Sequence, residues 1–190
     1  AAKYPTFSVR LERTDLFTGG AGIVARHLTS AGAKVSFSTV LGDDQLKDFV
    51  LKELEEAGVV CQPVIDRTRP TTYKERFTAD GHKMLQVDRV DNRPISERML
   101  KVICESLRAS QADVVIMSDF RHGIFNRDSI GRLVNEIPAG ALKVADSQVS
   151  NRWGNILDFT DFDLITPNER EARFALGDQD TIVRPLALNL

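Results

Sequence analysis

Short apolar segments alternate with amphipathic helical segments along most of this chain, and that alternation limits the possible folds more than any other feature. Beyond residue 95 the pattern predicts three strands interleaved with three helices, in chain order 96–109, 113–117, 126–137, 142–146, 163–166 and 168–176. Strands of this length separated by helices form parallel sheets that helices cover on both faces. We therefore predict an α/β fold with a mostly parallel sheet.

The same alternation fills the stretch from residue 19 to residue 69. It predicts a helix ending near Gly32, a strand over 34–41, a helix over 44–58 and a strand over 59–65. Gly58 stands where a helix ends with a left-handed residue. Residues 19–69 and 93–190 are thus predicted to build one α/β core.

The region between the two halves has a different pattern. Residues 71–90 contain two alternating segments joined by Ala79-Asp80-Gly81-His82, and Asp-Gly between such segments favours a β-hairpin. Residues 6–12 alternate in the same way. We predict a small antiparallel sheet from residues 4–18 and 70–92, beside the α/β core.

Composition excludes several classes of function. The 190 residues carry 25 basic and 27 acidic side chains, a net charge of −2, so no basic surface for nucleic acid is expected. No apolar run approaches the roughly 20 residues that span a bilayer, so no membrane contact is expected either. Cys61 and Cys104 are far apart in the sequence and the three histidines share no ligand spacing, so neither a disulfide framework nor a zinc site is indicated. The lack of a disulfide framework favours a reduced, cytoplasmic setting.

The segment TGGAGIVARHL, residues 18–28, contains a glycine turn before a helix. Residues 20–25 fit G-x-G-x-x-A, and Asp43 follows about 20 positions later, as in dinucleotide-binding turns. That motif needs a buried apolar strand before it, whereas the preceding RLERTDLFT is strongly charged. A nicotinamide-dependent oxidoreductase is therefore disfavoured. The glycines either admit a ligand close to the backbone or simply make a tight turn.

Four separated motifs together resemble one family. TGGAGIVARHLTSAGAKVSFSTVLGDD, RPTTYKERF, VVIMSDFRHG and DLITPNERE occur in that order. They are similar to the glycine-glycine helix with its G-D-D turn, the lid segment, the S-D-Y-x-K-G strand end and the T-P-N-x-x-E of ribokinase-like (PfkB) sugar kinases, in particular of the heptose-7-phosphate kinase branch. The resemblance implies a ribokinase-like three-layer sandwich with a β lid, and transfer of the ATP γ-phosphoryl group to a sugar hydroxyl.

The resemblance also implies site residues. Gly19 and Gly20 match the glycine pair that faces the sugar. Asn168 and Glu171 match the motif near the ATP phosphates, where Glu171 helps to hold Mg²⁺. The alternative for this second pair is a helix start, with Asn168 as the cap and Glu171 favouring the helix dipole.

On the sugar side, Lys74 and Arg76 match the T-x-K-x-R of the lid. Alternate residues of a strand point the same way, so both cations can reach one sugar phosphate. The alternative is a pair of solvated surface charges. Asp119 stands at a predicted strand end, where it can meet the sugar or serve a turn.

Four positions depart from the heptose kinase pattern. Ile23 replaces an asparagine, Gln86 an arginine, and His122 and Gln148 each a lysine. A site that loses hydrogen-bonding partners commonly loses its ligand as well. We therefore expect a substrate less anionic than heptose 7-phosphate, or a weakened site.

Two further motifs of the family are not found in the 190 residues: an N-terminal G-D-x-x-x-D strand and a C-terminal G-A-G-D with the catalytic base. We accordingly predict no catalytic base in this chain. It is either a fragment of a longer kinase or a degenerate relative, and the competing function is a non-catalytic sugar-binding or oligomerising protein. The lid strands further suggest a homodimer.

Overall fold

The computed structural model describes residues 8–148 and 156–190. Six helices, seven strands and one short 3₁₀ turn, Ile156–Asp158, lie within them. In chain order the helices and strands are α1 Gly20–Ser30, β1 Ser36–Leu41, α2 Gln45–Glu56, β2 Val60–Ile65, β3 Tyr73–Ala79, β4 His82–Arg89, α3 Glu97–Ala109, β5 Val114–Asp119, α4 Arg127–Val134, β6 Leu142–Ser147, β7 Leu164–Ile165, α5 Glu169–Leu176 and α6 Val183–Leu188.

The predicted α/β alternation is confirmed, with one difference in the sheet. β1 and β2 form a parallel pair, and β5, β6 and β7 form a separate parallel sheet in that order. Within the described residues no hydrogen-bonded ladder joins the two, because β1 pairs with β2 alone and β5 with β6 alone. Among residues 8–148 and 156–190 the mostly parallel arrangement is therefore present as two sheets.

Helix α3 provides much of the apolar packing that holds the larger core together. Its buried residues Leu100, Ile103 and Cys104 belong to one cluster with Met117 of β5 and Ala145 of β6. Valines from β1 and β2 pack against the same cluster, so both sheets contribute to it. Burying a leucine or isoleucine side chain contributes about 1.5–3 kcal/mol, so Leu100 and Ile103 anchor the helix well.

The predicted hairpin is confirmed as an antiparallel pair of β3 and β4, running from Tyr73 opposite Arg89 to Ala79 opposite His82. Its turn residues Asp80 and Gly81 both have positive φ, +50° and +78°, as a two-residue hairpin turn requires. We call β3, β4 and this turn the lid hairpin.

The strand predicted over residues 6–12 is wrong for the part that the structure describes. Residues 8–18 contain no strand, and Val9, Leu11 and Phe17 are exposed. Residues 6 and 7 lie outside the described residues. Alternation alone does not make a strand without a partner, and both lid-hairpin strands pair only with each other among the described residues. The division into lid and core stays a prediction.

Two smaller outcomes complete the fold. Helix α6, Val183–Leu188, was not expected from the sequence. Across residues 8–148 and 156–190, no helix has both the length and the apolar composition that crossing a bilayer requires.

Candidate sugar and nucleotide site

The predicted site segments lie at the carboxyl ends of the parallel strands. β5 ends at Asp119, directly opposite Ser147 at the end of β6, and β7 leads into the N-terminus of α5. Parallel strands place their carboxyl ends along one edge, where ligands bind in open α/β sheets. This edge is the candidate site.

The glycine pair meets this edge through an aromatic ring. Gly20 begins α1 with φ +55°, and a Cβ added to it would lie 3.7 Å from the ring of Phe120, which follows β5. Gly19 is the N-cap and has no side chain to cap the helix. The first N–H groups of α1 therefore lie close to the end of β5, and such groups bind hydroxyl or phosphate oxygens.

Asp119 is bound into a buried triangle of side chains. Its carboxylate accepts hydrogen bonds from the Arg121 backbone N–H at 2.7 Å and from Ser147 Oγ at 3.0 Å. The Arg121 Nε lies 2.8 Å from Asp119 Oδ2, and Arg121 Nη2 donates to Ser147 Oγ at 3.1 Å. Asp119 is 1% exposed. Both carboxylate oxygens therefore already have partners within the protein.

The triangle also carries backbone strain and an altered pKa. Arg121 has φ +59°, a left-handed conformation that is uncommon for a residue with a side chain. Burial raises the pKa of Asp119, although the Arg121 guanidinium and the hydrogen bonds from Arg121 and Ser147 oppose that rise. The ion pair thus offsets part of the cost of burying the carboxylate.

Asn168 and Glu171 adopt the helix-start arrangement that was their alternative interpretation. Asn168 Oδ1 accepts from the Glu171 N–H at 3.0 Å, and Glu171 Oε2 accepts from the Asn168 N–H at 2.8 Å, a capping box at the start of α5. Glu171 is buried. Just before them, Thr166 Oγ1 donates to Asp146 Oδ1 at 3.0 Å and ties this loop to the end of β6.

The donor set at this helix start is compatible with a hydrated magnesium ion. Residues 8–148 and 156–190 contain no cluster of three or more His, Cys, Asp or Glu side chains placed to hold a metal. Magnesium bound with ATP needs only one or two protein carboxylates, because phosphates and water supply the remaining oxygens. Glu171 fits that limited role, since among its described hydrogen bonds the capping bond engages Oε2 and not Oε1.

Lys74 and Arg76 share one face of the lid hairpin. They lie opposite Asp88 and Gln86 respectively, and Arg76 Nε donates to Gln86 Oε1 at 3.1 Å. The same Gln86 donates to Asp88 at 2.8 Å. Both cations are exposed. None of their described contacts joins them to Gly20 or Asp119.

The other departures from the family pattern fall in varied surroundings. Ile23 is 44% exposed on α1. His122 stacks near Phe120, and its Nδ1 lies 3.1 Å from Asn92 Oδ1. Gln148 donates its backbone N–H to Asp119 O.

Sequence reasoning missed three residues of this region: Arg69, Arg121 and Ser147. No sequence signal indicates that Arg121 turns back onto Asp119, because that depends on its positive φ. The spacing Asp66-x-x-Arg69 was a detectable signal, since charges three residues apart can pair, and here Arg69 Nε lies 2.7 Å from Asp66 Oδ2.

An α/β protein with a glycine-opened helix at the carboxyl edge of parallel strands has the architecture in which a small-molecule ligand binds at that edge. Residues 4–187 match the pfkB family of carbohydrate kinases, and the chain belongs to that family.

Individual relatives agree with this assignment. The chain is 32% identical over 181 residues to the bifunctional protein HldE of Caulobacter vibrioides, with 93% of the chain and 36% of that protein covered. The chain thus spans little more than a third of this relative's length. The phosphofructokinase-2 of Escherichia coli, in complex with fructose-6-phosphate, matches with a TM-score of 0.74 at 19% identity, over 98% of the chain and 62% of that structure.

Ribokinase from Giardia lamblia also matches, with a TM-score of 0.59 at 16% identity, over 80% of the chain and 47% of that structure. The ribokinase-like fold expected from the motifs is therefore confirmed. The dinucleotide interpretation fails structurally as well, because residues 8–18, which precede the glycine turn, contain no strand to aim α1 at a pyrophosphate.

The two glycines of the turn should respond differently to substitution. Gly20→Ala should lower the free energy of unfolding by about 1 kcal/mol, because a Cβ is strained at φ +55°. Gly19→Ala should change it by only a few tenths of a kcal/mol, since Gly19 has φ −118° and no atom within 4 Å of the added Cβ. The lower entropy of the unfolded chain then roughly offsets the preference of an N-cap for glycine over alanine. Urea unfolding measures both, and equal effects would contradict the role assigned to the Gly20 backbone.

Asp119 should be coupled to Arg121 in stability. Asp119→Ala should lower the free energy of unfolding by about 3–5 kcal/mol, because it leaves a buried guanidinium without its carboxylate. The double variant Asp119→Ala/Arg121→Gly should lose less than the single variant, since it removes both charges and the positive-φ strain. Chemical denaturation of both variants checks this. A double variant that loses more than the single one would show that the two side chains are not an energetic pair.

Proposed function

We propose that this chain forms the sugar side and part of the nucleotide side of a kinase that transfers the γ-phosphoryl group of Mg·ATP to a hydroxyl of a sugar or sugar phosphate. The observation that carries the proposal is the proximity of the Phe120 ring to the Gly20 turn, where a Cβ added to Gly20 would lie 3.7 Å from the ring. This proximity places the N-terminus of α1 beside the end of β5. The chain belongs to the pfkB family of carbohydrate kinases. Backbone N–H groups there are suited to sugar hydroxyls.

Asn168 and Glu171 are proposed to serve the nucleotide. The capping box supports this role because it holds both side chains in one orientation before any ligand arrives. Glu171 would hold a hydrated magnesium ion, and Asn168 would orient a water or a phosphate oxygen. When bound, magnesium would neutralise charge that develops on the transferring phosphoryl group.

Lys74 and Arg76 are proposed to meet an anionic group of the sugar. Their common face on β3 supports this, since both can approach one ligand when the lid hairpin lies over the site. The neutral residues at Gln86 and Gln148 and the histidine at 122 reduce the positive charge, so we propose either a substrate less anionic than heptose 7-phosphate or a weakened sugar-phosphate site. The E. coli phosphofructokinase-2 structure contains fructose-6-phosphate, which makes that sugar a suitable probe of sugar-phosphate binding, and unphosphorylated fructose is the less anionic comparison.

No catalytic base is assigned among the residues of this chain, so ligand binding is the direct test. A non-catalytic sugar-binding relative would bind the sugar but not Mg·ATP. The kinase proposal requires saturable binding of both the sugar and Mg·ATP. The proposal also includes a cytoplasmic location, where ATP is available.

Calorimetry on the chain should therefore detect saturable binding of Mg·ATP and of at least one member of a panel. The panel contains fructose, fructose 6-phosphate and heptose 7-phosphate, with NADH as the nucleotide control. Heptose 7-phosphate should not bind more tightly than the other sugars. Saturable NADH binding without Mg·ATP binding would overturn the assignment, and sugar binding without Mg·ATP binding would favour the non-catalytic alternative.

Variants of the lid cations sharpen the same test. Lys74→Met and Arg76→Met should each weaken binding of fructose 6-phosphate by about tenfold, because each removes a charge-assisted bond. Their affinity for unphosphorylated fructose should not change. Lys52→Met, on the exposed surface of α2, is the matched control, and an equal loss in that variant would exclude a specific role for the lid.

Dimerisation through the lid hairpin is a second part of the proposal. Phe77 and Leu85 lie opposite each other, Val87 shares their face, and all three are 38–56% exposed. Adjacent exposed apolar side chains on a hairpin that pairs with no other described strand favour association with a second copy.

Light scattering at micromolar concentration should give the mass of a dimer. Leu85→Glu should give a monomer, because it buries a charge in the proposed interface. Gln86→Glu, on the opposite face of the same strand, should remain dimeric. A wild-type monomer, or equal behaviour of the two variants, would contradict the proposed interface.

A further inference from the structure

Within the part of the chain that the structure describes, the two stems are the main connections of the lid hairpin to the rest of the protein. Every residue of β4 is exposed, and β3 is mostly so. The stems are residues 66–72, which follow β2, and residues 90–96, which precede α3. Whatever fixes these stems therefore fixes the lid hairpin.

One buried guanidinium joins the two stems. The Arg69 side chain is 7% exposed, and its Nε donates to Asp66 Oδ2 at 2.7 Å. Its Nη2 donates to the carbonyl oxygens of Arg93 at 3.2 Å and Pro94 at 3.3 Å, in the second stem. A planar guanidinium can serve all of these acceptors at once, whereas a lysine ammonium is a single point charge.

The same side chain reaches the loop of the candidate site. Arg69 Nη1 donates to the carbonyl oxygen of His122 at 3.3 Å. That loop, residues 120–123, follows Asp119 and contains Phe120, the ring beside Gly20. Arg69 thus contacts both lid stems and the sugar-side loop.

Backbone contacts at this junction are unusually close. Ile95 N–H donates to Gly123 O at 2.9 Å. A Cβ added at Gly123 would collide with the carbonyl oxygen of Arg93. The second stem therefore lies directly on the sugar-side loop, so that a shift of the stem must move the loop.

The charge of the junction is stable at neutral pH. Burial opposes ionisation of Asp66, but the hydrogen bonds from Thr68 and Arg69 outweigh it and hold the pKa of this carboxyl below its ordinary value.

Arg93 adds a second link between the stems, since its Nη2 donates to Thr68 O at 3.1 Å.

We propose that Arg69 is a positioning residue: it fixes both stems of the lid hairpin to the loop 120–123, and so sets where the lid stands relative to the sugar. This rests on the proposed function for its ligand, but the geometry of the junction is independent of it. Arg69→Lys is the informative variant, because it keeps the positive charge beside Asp66 and loses the fork that reaches three carbonyl groups.

Amide hydrogen exchange tests the junction directly. In Arg69→Lys, the Ile95 amide should exchange at least about tenfold faster, since local opening of the junction becomes easier. The Val60 amide, which donates to Val35 O in the β1–β2 region, should not change. Arg67→Lys is the matched control, because Arg67 is two residues away, 85% exposed and paired only at the surface with Asp43 among its described contacts.

Binding by the full chain provides the second measurement. Arg69→Lys should weaken fructose 6-phosphate binding by about tenfold and leave Mg·ATP affinity unchanged. Unchanged Ile95 exchange, equal acceleration at Ile95 and Val60, or faster Ile95 exchange with unaltered sugar-phosphate affinity would each overturn the proposal. If the wild-type chain binds no sugar of the panel, the proposed function fails, while selective acceleration at Ile95 still supports Arg69 as the residue that fixes the stems.

Discussion

Parallel pairing of the strands is the constraint on which the rest of the structure depends. It places Asp119 opposite Ser147 and leads β7 into α5 at the neighbouring strand end. Each helix that returns the chain must then cover a face of the sheet, and α3 does so with Leu100, Ile103 and Cys104. Turns and loops are thereby left at the carboxyl ends, where ligand groups can gather without disturbing the core.

Two buried arginines show how this chain uses positive charge near its site. Arg121 is committed to Asp119 and Ser147, and Arg69 to Asp66 and three carbonyl oxygens. A buried guanidinium is stable only where acceptors satisfy it, so both side chains fix backbone segments in place. Cations near a candidate phosphate site are therefore not all ligand groups, and Lys74 and Arg76 differ from these two in being exposed on the lid hairpin.

The sequence predicted most elements because their signals are local. Asp80-Gly81 indicated the hairpin, since two positive φ values are needed there, and apolar spacing located α3 within a residue. The strand expected over residues 6–12 was wrong in its described part because a strand also requires a partner edge. Of the candidate site, the glycine turn and the helix cap at Asn168 were recognisable. The triangle at Asp119 was not, because the positive φ that turns Arg121 back onto it leaves no mark in the sequence.

The amino-acid sequence by itself determined the alternation of helices and strands, the hairpin turn, and the family resemblance that residues 4–187 confirm. These follow from periodicity and turn chemistry, which act over a few residues. Only the tertiary structure decided that the parallel strands within the described residues form two sheets, that Asp119 faces Ser147 and Arg121, and that Arg69 joins the lid stems to residues 120–123. Apart from the local Asp119–Arg121 pair, which depends on the positive φ of Arg121, those contacts join residues 24 to 53 positions apart. They form only after strand pairing and helix packing have brought the segments together.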